Sequence, residues 1–296
     1  IDAHAGGLGT LGVSLPGDDP DPTRRLAYVF GTSACSMAST VGATPVAGVW
    51  GPYYDAMLPG LWLNEGGQSA AGAALAHLVH LHRDAPEIES QAKAQGLSLI
   101  DHVAAHAASL APTLSDTIRA AAGVLVVPEF LGNRSPFADP EARAVIAGLG
   151  LDRGIDNLAQ LYLGGLSGIG YGLRQLLDRF AAEGLQIDTI IASGGAAQTP
   201  LACQMLADST GLQVARPDAP EPVLLGSAML AAIGSGTHPD TATAMAAMSG
   251  PAQGFAPATG DLARLHDARY TAFASLQGSA RALRQAVGQA VGQAGI

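Results

Sequence analysis

Apolar and polar positions follow two periods along the chain, and the sharpest change between them falls in IDTIIASGGAAQTPLACQMLADSTGLQVARP, residues 187 to 217. Ile187 to Ile191 is a β-branched run bounded by Gly184 before it and by Ser193, Gly194 and Gly195 after it, the pattern of a buried strand entering a tight turn. A helix is expected next. Thr199 is placed to cap it, Pro200 occupies a first-turn position where a missing N–H costs nothing, Leu201, Met205 and Leu206 give an inward face, and Gly211 supplies a left-handed stop. Leu212 to Ala215 reads as the following strand.

The same reading extends in both directions. Residues 2 to 12 form a short helix opened by Asp2, and LPGDDPDPT, residues 15 to 23, is a hinge loop. Leu26 to Phe30 and Ala34 to Thr40 are two strands of a hairpin tipped by Gly31, Thr32 and Ser33. Val46 to Tyr54 and Leu61 to Leu63 are extended segments. A helix follows from about Gly67 to Arg83, its first two turns nearly bare because of Ala70, Ala71, Gly72 and Ala73. Residues 84 to 123 read as helical, with 97–109 and 113–121 as the helices, and Val124 to Val127 is a short apolar run ended by Pro128. The segment 130–152, holding Arg134, Asp139, Arg143 and Asp152, reads as a long surface loop packed across the domain. Asn157 to Phe180 is a long amphipathic helix. Pro222 to Ile233 is another helix, thinned on one face by Gly226, Ser227 and Ala228. Residues 236–260 are loop with a short helix, and 261–291 a terminal helix. This order predicts an α/β fold: a mixed sheet flanked by right-handed crossover helices, with a helical insertion.

Composition narrows the function. With 296 residues, 48% hydrophobic and 14% charged, the chain is large enough for a sizeable core and is not disordered. A net charge of −10, with Lys93 the one lysine among 15 basic residues, argues against nucleic acid or an anionic membrane as partner. No run reaches the roughly 18 apolar residues of a membrane span. Cys35 and Cys203 make no disulfide framework and no metal motif is present, so a cytoplasmic protein is expected. The first residues lack the basic region of a signal peptide. A chain starting with Ile inside a Gly/Ala-rich segment also looks cut from a longer protein.

Several residues stand out as candidate chemistry. Gly194 and Gly195 bring bare backbone to a strand tip, where open α/β sheets bind ligands, although such pairs more often serve turns alone. The Gly31-Thr32-Ser33 tip offers amides and two hydroxyls to an anion, or is an ordinary hairpin turn. The thin helix start at Gly72 suits close approach of a nucleotide or of another backbone. Asp2 is a plain N-cap or a carboxylate with a chemical role. His77, His80 and His82 on one helix lack the partners a metal would need.

Taken together, DAHAGG, FGTS, PGLWLNEGGQSAAG, GNRSPFADPEARAVIAGL, ASGGAAQTPLACQMLAD and LGSAMLAA resemble, in order, the second lobe of the FGGY carbohydrate kinases, nearest to their ribulokinase-like branch. The resemblance covers Asp2 to about Tyr270 and implies a ribonuclease H-like (actin/hexokinase-like) lobe. It implies that residues 1–22 are a remnant of the first lobe plus hinge and that 23–296 are the C-terminal nucleotide-binding lobe. Asp2 would be the general base toward a sugar hydroxyl, and Gly31 and Thr32, with Ser33, the tip facing the ATP phosphates. Gly72 would lie near the nucleotide, Gly194 and Gly195 beside adenine, with Gln198 and Thr199 next to them. ATP and Mg²⁺ are the implied cofactors, and the acceptor a pentulose or related polyol, D-ribulose first, then L-ribulose, xylulose or ribitol. Ala3 stands where many members carry Gln or Asn, which speaks against glycerol, and Ala76 where glycerol kinases place a glutamine. The first lobe's phosphate hairpin and most of the sugar pocket are absent from these residues, so the chain alone should bind nucleotide weakly and turn over nothing. Its partners would be the sugar, ATP and the N-terminal lobe, and a homodimer is an assembly it allows. The alternative is a non-catalytic nucleotide-binding or regulatory module.

Overall fold

The computed structural model describes residues 1–16, 21–121 and 123–293, with side chains through 287. Of the hinge loop expected at 15–23, residues 17–20 lie outside the described residues. Helix α1, Asp2–Leu11, is followed by strands β1, Arg25–Phe30, β2, Ala34–Thr40, β3, Trp50–Tyr54, and β4, Trp62–Gln68. Three helices come next: α2, Gly72–His80, α3, Ala85–Ala94, and α4, Leu99–Ser109. Strands β5, Leu125–Val127, and β6, Val145–Ala147, precede the long α5, Gly154–Ala182. The chain ends with β7, Thr189–Ser193, α6, Pro200–Thr210, β8, Gln213–Pro217, α7, Pro222–Gly234, α8, Thr241–Met248, β9, Ala252–Phe255, and α9, Gly260–Gln293.

Seven strands form one mixed sheet in the order β3-β4-β2-β1-β7-β8-β9. β1, β7 and β8 run parallel, while β2, β4, β3 and β9 are antiparallel to their neighbours. Alternation along each strand divides the core by face. Leu26, Tyr28 and Phe30 of β1, with Ile190 of β7 and Val214 of β8, pack under α2 to α6. Ala27, Ile191 and Ala215 face the opposite side, under Leu8 and Leu11 of α1, Met229 of α7 and Met245 of α8. Leu8, Leu11, Val13 and Leu15 thus pack into the core on this face of the sheet.

The α1 face is held by backbone contact. A Cβ at Gly226 would lie 1.8 Å from the Ala5 carbonyl oxygen, and one at Gly9 would lie 2.1 Å from that of Pro222. The glycines that thin α1 and α7 thus serve their crossing. The far end of α1 is tied to the sheet by the buried Arg25, whose guanidinium donates to the carbonyls of Leu11 at 2.6 Å and Val13 at 2.8 Å.

Several boundaries differ from the sequence expectation. The helix expected from Gly67 starts at Gly72, because Glu65, Gly66 and Gly67 continue β4 and pair with β2 through Gln68 opposite Ala34. Gly67 adopts φ of 150° with Ala34's carbonyl oxygen only 2.0 Å from where a Cβ would stand, so bare backbone here serves strand pairing. That helix ends at His80, which leaves His82 beyond it. Residues 115–119 form only a short 3₁₀ turn. The loop 130–152 contains β6, which pairs with β5 in a separate two-stranded sheet, and 236–260 contains β9 as an edge strand. β9 reads AQGF, too short and too polar to register as a strand by periodicity. No helix among the described residues is long and apolar enough to cross a membrane.

Gly226→Ala should destabilise the lobe by about 1–3 kcal/mol through overpacking against α1, read as a lower urea midpoint. Gly234→Ala on the same helix, where a Cβ meets nothing within 4 Å, should be neutral or stabilising. Equal midpoints for the two variants would contradict the crossing described.

Candidate active site

The carboxyl ends of β1 and β7 lie side by side, Val29 opposite Ser193, and three loops meet just beyond them. The hairpin tip after β1 is met by the start of α2: Gly31's carbonyl accepts from Gly72 N–H at 2.9 Å, and Thr32's accepts from Ala71 at 2.9 Å and Ala73 at 3.1 Å. Those first-turn amides of α2, which the sequence left open to a ligand, are spent on the tip. A Cβ at Gly72 would sit 2.7 Å from Gly31's carbonyl oxygen and 3.6 Å from Ala196 Cβ, so Gly72 is the contact point of tip, helix and the turn after β7. That turn begins with Gly194 at φ 93°, where a Cβ would come within 2.7 Å of the Phe30 carbonyl oxygen. Ser33's carbonyl accepts from Gly31 N–H at 3.0 Å, closing the tip, and Thr32 is exposed at its end.

Beside this junction an open cleft of about 230 Å³ runs between the turn after β7 and the start of α7. Bare backbone at Gly6, Gly194 and Gly195 forms one part of its lining, Val29, Pro220, Pro222 and Val223 an apolar part, and Ser193, Gln198 and Glu221 the polar groups. Nothing stands within 4 Å of where a Gly195 side chain would begin. Arg216 props the turn from outside by donating to the Gln198 carbonyl. The structure thus gathers Gly31, Thr32, Gly72, Gly194, Gly195 and Gln198 at one end of the sheet, with the last three lining the cleft itself. Thr199 does what its position predicts locally: its hydroxyl accepts from Ala202 N–H at 3.2 Å and caps α6.

Asp2 is exposed on the first turn of α1, one turn before Gly6, and its Oδ1 accepts from Ala3 N–H at 2.9 Å. It overlooks a second group of polar side chains. His4 Nε2 lies 3.2 Å from Glu65 Oε2. Arg134 Nη1 donates to Cys35 Sγ at 3.9 Å, and its guanidinium carbon stands 5.2 Å from the centre of the Trp50 ring. Burial pushes the Cys35 thiol up; the Arg134 charge counters this, and the Glu65 and Asp2 carboxylates add to it, which places Asp2 within electrostatic reach. His4, Cys35, Glu65 and Arg134 were not legible as site residues from sequence. The signal lay in β4, where Glu65 opposite Met37 faces α1, but it appears only once the segment is read as a strand. The three histidines disperse: His77 stacks edge-on to Phe130 at 4.9 Å, His80 approaches the Ala76 carbonyl at 2.6 Å, and His82 meets Asn157 at 3.1 Å.

Residues 26–235 match the model of the FGGY family of carbohydrate kinases, C-terminal domain, and the chain belongs to that family. Among curated relatives, an FGGY carbohydrate kinase domain-containing protein of Xenopus laevis is 42% identical over 93% of this chain and 51% of its own length. A D-ribulokinase of Saccharomyces cerevisiae is 34% identical over 79% of this chain and 35% of its own. The chain spans about half the length of the FGGY relatives it matches. Among solved structures, xylulose kinase from Rhodospirillum rubrum superposes with a TM-score of 0.71 at 23% identity, covering 95% of this chain and 50% of that one. Plasmodium falciparum glycerol kinase with ADP gives 0.67 at 15% identity, covering 93% and 50%. These likenesses establish the fold as that of an actin/hexokinase-like lobe.

Thr199→Ala should cost about 1 kcal/mol of stability through the lost cap, and Thr199→Ser should recover most of it in the same denaturant titration. A Thr199→Ala lobe as stable as the parent would show the cap to be dispensable.

Proposed function

We propose that this chain is the nucleotide-binding, C-terminal half of an ATP-dependent kinase that phosphorylates a pentulose or related polyol, D-ribulose being the substrate it fits best. What supports the reading is that Asp2, an exposed carboxylate, lies on α1 one helical turn before Gly6, which lines the glycine-rich cleft. The family supports a sugar kinase, and the yeast D-ribulokinase and the bacterial ribulokinases among the relatives support the pentulose.

Phosphoryl transfer asks little covalent chemistry of a protein. It needs the donor held in line, a base within reach of the acceptor hydroxyl, and dipoles aimed at developing charge. In this reading the apolar part of the cleft takes a flat base, and the bare backbone at Gly194 and Gly195 allows close approach. Gly31 and Thr32 face the phosphates with Gly72 packed behind them. Asp2 accepts the proton from the sugar hydroxyl, and the His4–Glu65 pair and Arg134 offer hydrogen-bonding groups to the remainder of the acceptor. ATP would supply the transferred phosphoryl group. Mg²⁺ commonly binds through one or two carboxylates and phosphate oxygens; the carboxylates near the cleft are Glu221 in its lining and Asp2. Closure of a second lobe would exclude water and favour transfer over hydrolysis.

The test is a panel of pentuloses and polyols assayed for ADP release with the two-lobed protein. Asp2→Asn should lower kcat by about 10²–10⁴-fold and leave nucleotide affinity nearly intact. Near-normal turnover by that variant would remove Asp2 from the mechanism, and no ADP release with any acceptor would remove the kinase assignment.

A further inference from the structure

The Arg134 guanidinium reaches the acceptor side of the site from a segment, residues 129–141, that carries no regular secondary structure of its own. What fixes it is a chain of contacts leading to the C-terminal helix. Asn133 and Asp139 pair through both backbone groups at 2.8 Å, closing the segment on itself, and Asn133 Oδ1 accepts from Phe137 N–H at 3.0 Å. Asn133 Nδ2 donates at 2.6 Å to the buried Glu129 carboxylate, which also accepts from Gln277 of α9 at 2.6 Å. One turn further along α9, Arg281 lays its guanidinium 3.4 Å from the Phe137 ring centre and 3.8 Å from Glu129. Arg284 then donates to the Asp139 carboxylate. On its other side the segment rests on the turn before β3, with the Pro136 carbonyl oxygen 1.8 Å from where a Gly48 Cβ would be.

We infer that α9 is a latch: Arg281 and Arg284 pin the segment at Phe137 and Asp139, fix Asn133 between them, and so present the next residue, Arg134, to the acceptor. The inference rests on the reading of the Asp2 side as the acceptor side. Arg281 and Arg284 are positioning residues, since neither reaches Cys35, Trp50 or Asp2. Among the described residues Arg134 has no carboxylate within ion-pair distance; it donates to the Cys35 thiol and lies over the Trp50 face. A guanidinium so placed can donate in a fixed fork to hydroxyl, carbonyl or phosphate oxygens of a bound sugar. Small misplacements of such a group are costly to binding and catalysis.

The test uses the two-lobed protein with two readouts. Hydrogen exchange should accelerate at the amides of Asn133, Phe137 and Asp139 in Arg284→Ala, and Arg284→Lys should restore most of the protection. In steady-state kinetics Arg284→Ala should raise the acceptor KM about tenfold with little change in the KM for ATP. Arg134→Gln should raise the acceptor KM at least as much, and adding Arg284→Ala to it should have almost no further effect, because the latch acts through Arg134. Unaltered exchange in Arg284→Ala would overturn the latch while leaving the kinase reading in place. Faster exchange with an unchanged acceptor KM, or additive effects of the two substitutions, would overturn the link to Arg134. If the two-lobed protein phosphorylated no sugar or polyol, the kinase reading would fail and the inference with it.

Discussion

The carbonyl groups of Gly31 and Thr32 accept the N–H groups of Ala71, Gly72 and Ala73, and the geometry of the site hangs on that junction. It satisfies amides that a helix start otherwise leaves without partners, each such bond contributing about 0.5–1.5 kcal/mol. It also fixes how far the β1–β2 hairpin stands from α2, because no side chain fits at residue 72. A Cβ at residue 72 would meet Ala196, and one at residue 194 would crowd the Phe30 carbonyl, so the turn after β7 packs against the same junction. Glycine is required here for proximity at Gly72, and for both proximity and a positive φ at Gly194.

A second constraint brings the carboxylate to this edge. Helix α1 lies close against α7 through Gly9 and Gly226, and Arg25 binds its last carbonyls to β1. With both flanks held, the exposed first turn carrying Asp2 is placed near Cys35 and one turn from the cleft. The two faces of the sheet thus contribute different parts. The α2–α6 face sets the glycine junction, and the α1–α7–α8 face delivers the carboxylate and one wall of the cleft. The segment bearing Arg134 is added from a third direction, through α9.

Local chemistry carried much of this into the sequence. The strand read at Ile187–Ile191 lies two residues later, at Thr189–Ser193, while the Gly-Gly, Thr-Pro, helix, Gly order after it appears as read, with Thr199 capping and Gly211 at φ 74°. The hairpin at Gly31 and the long α5 were equally plain, because turn residues and a sustained apolar stripe are local signals. What sequence could not give depends on distant partners. Gly66 and Gly67 look like a bare helix start until β2 is known to lie beside them. β9 is too short to show a period, and β5–β6 form a pair across about twenty residues. Glu65, Cys35 and Arg134 become neighbours only through sheet register and loop packing, which no spacing along the chain encodes. The thin faces of α1 and α7 were visible, but whether a ligand or another helix fills such a face is decided in three dimensions.

If a nucleotide sits in the cleft beside Gly195, a side chain added at that position must compete with it. Isothermal titration of Mg-ADP into the protein and its Gly195→Leu variant tests this directly, because a Cβ there meets no atom of the described residues within 4 Å. The variant's affinity should be lower by about tenfold or more, the effect of losing roughly 1.4 kcal/mol, with an unchanged melting temperature. Equal affinities for the two proteins would contradict that placement of the nucleotide.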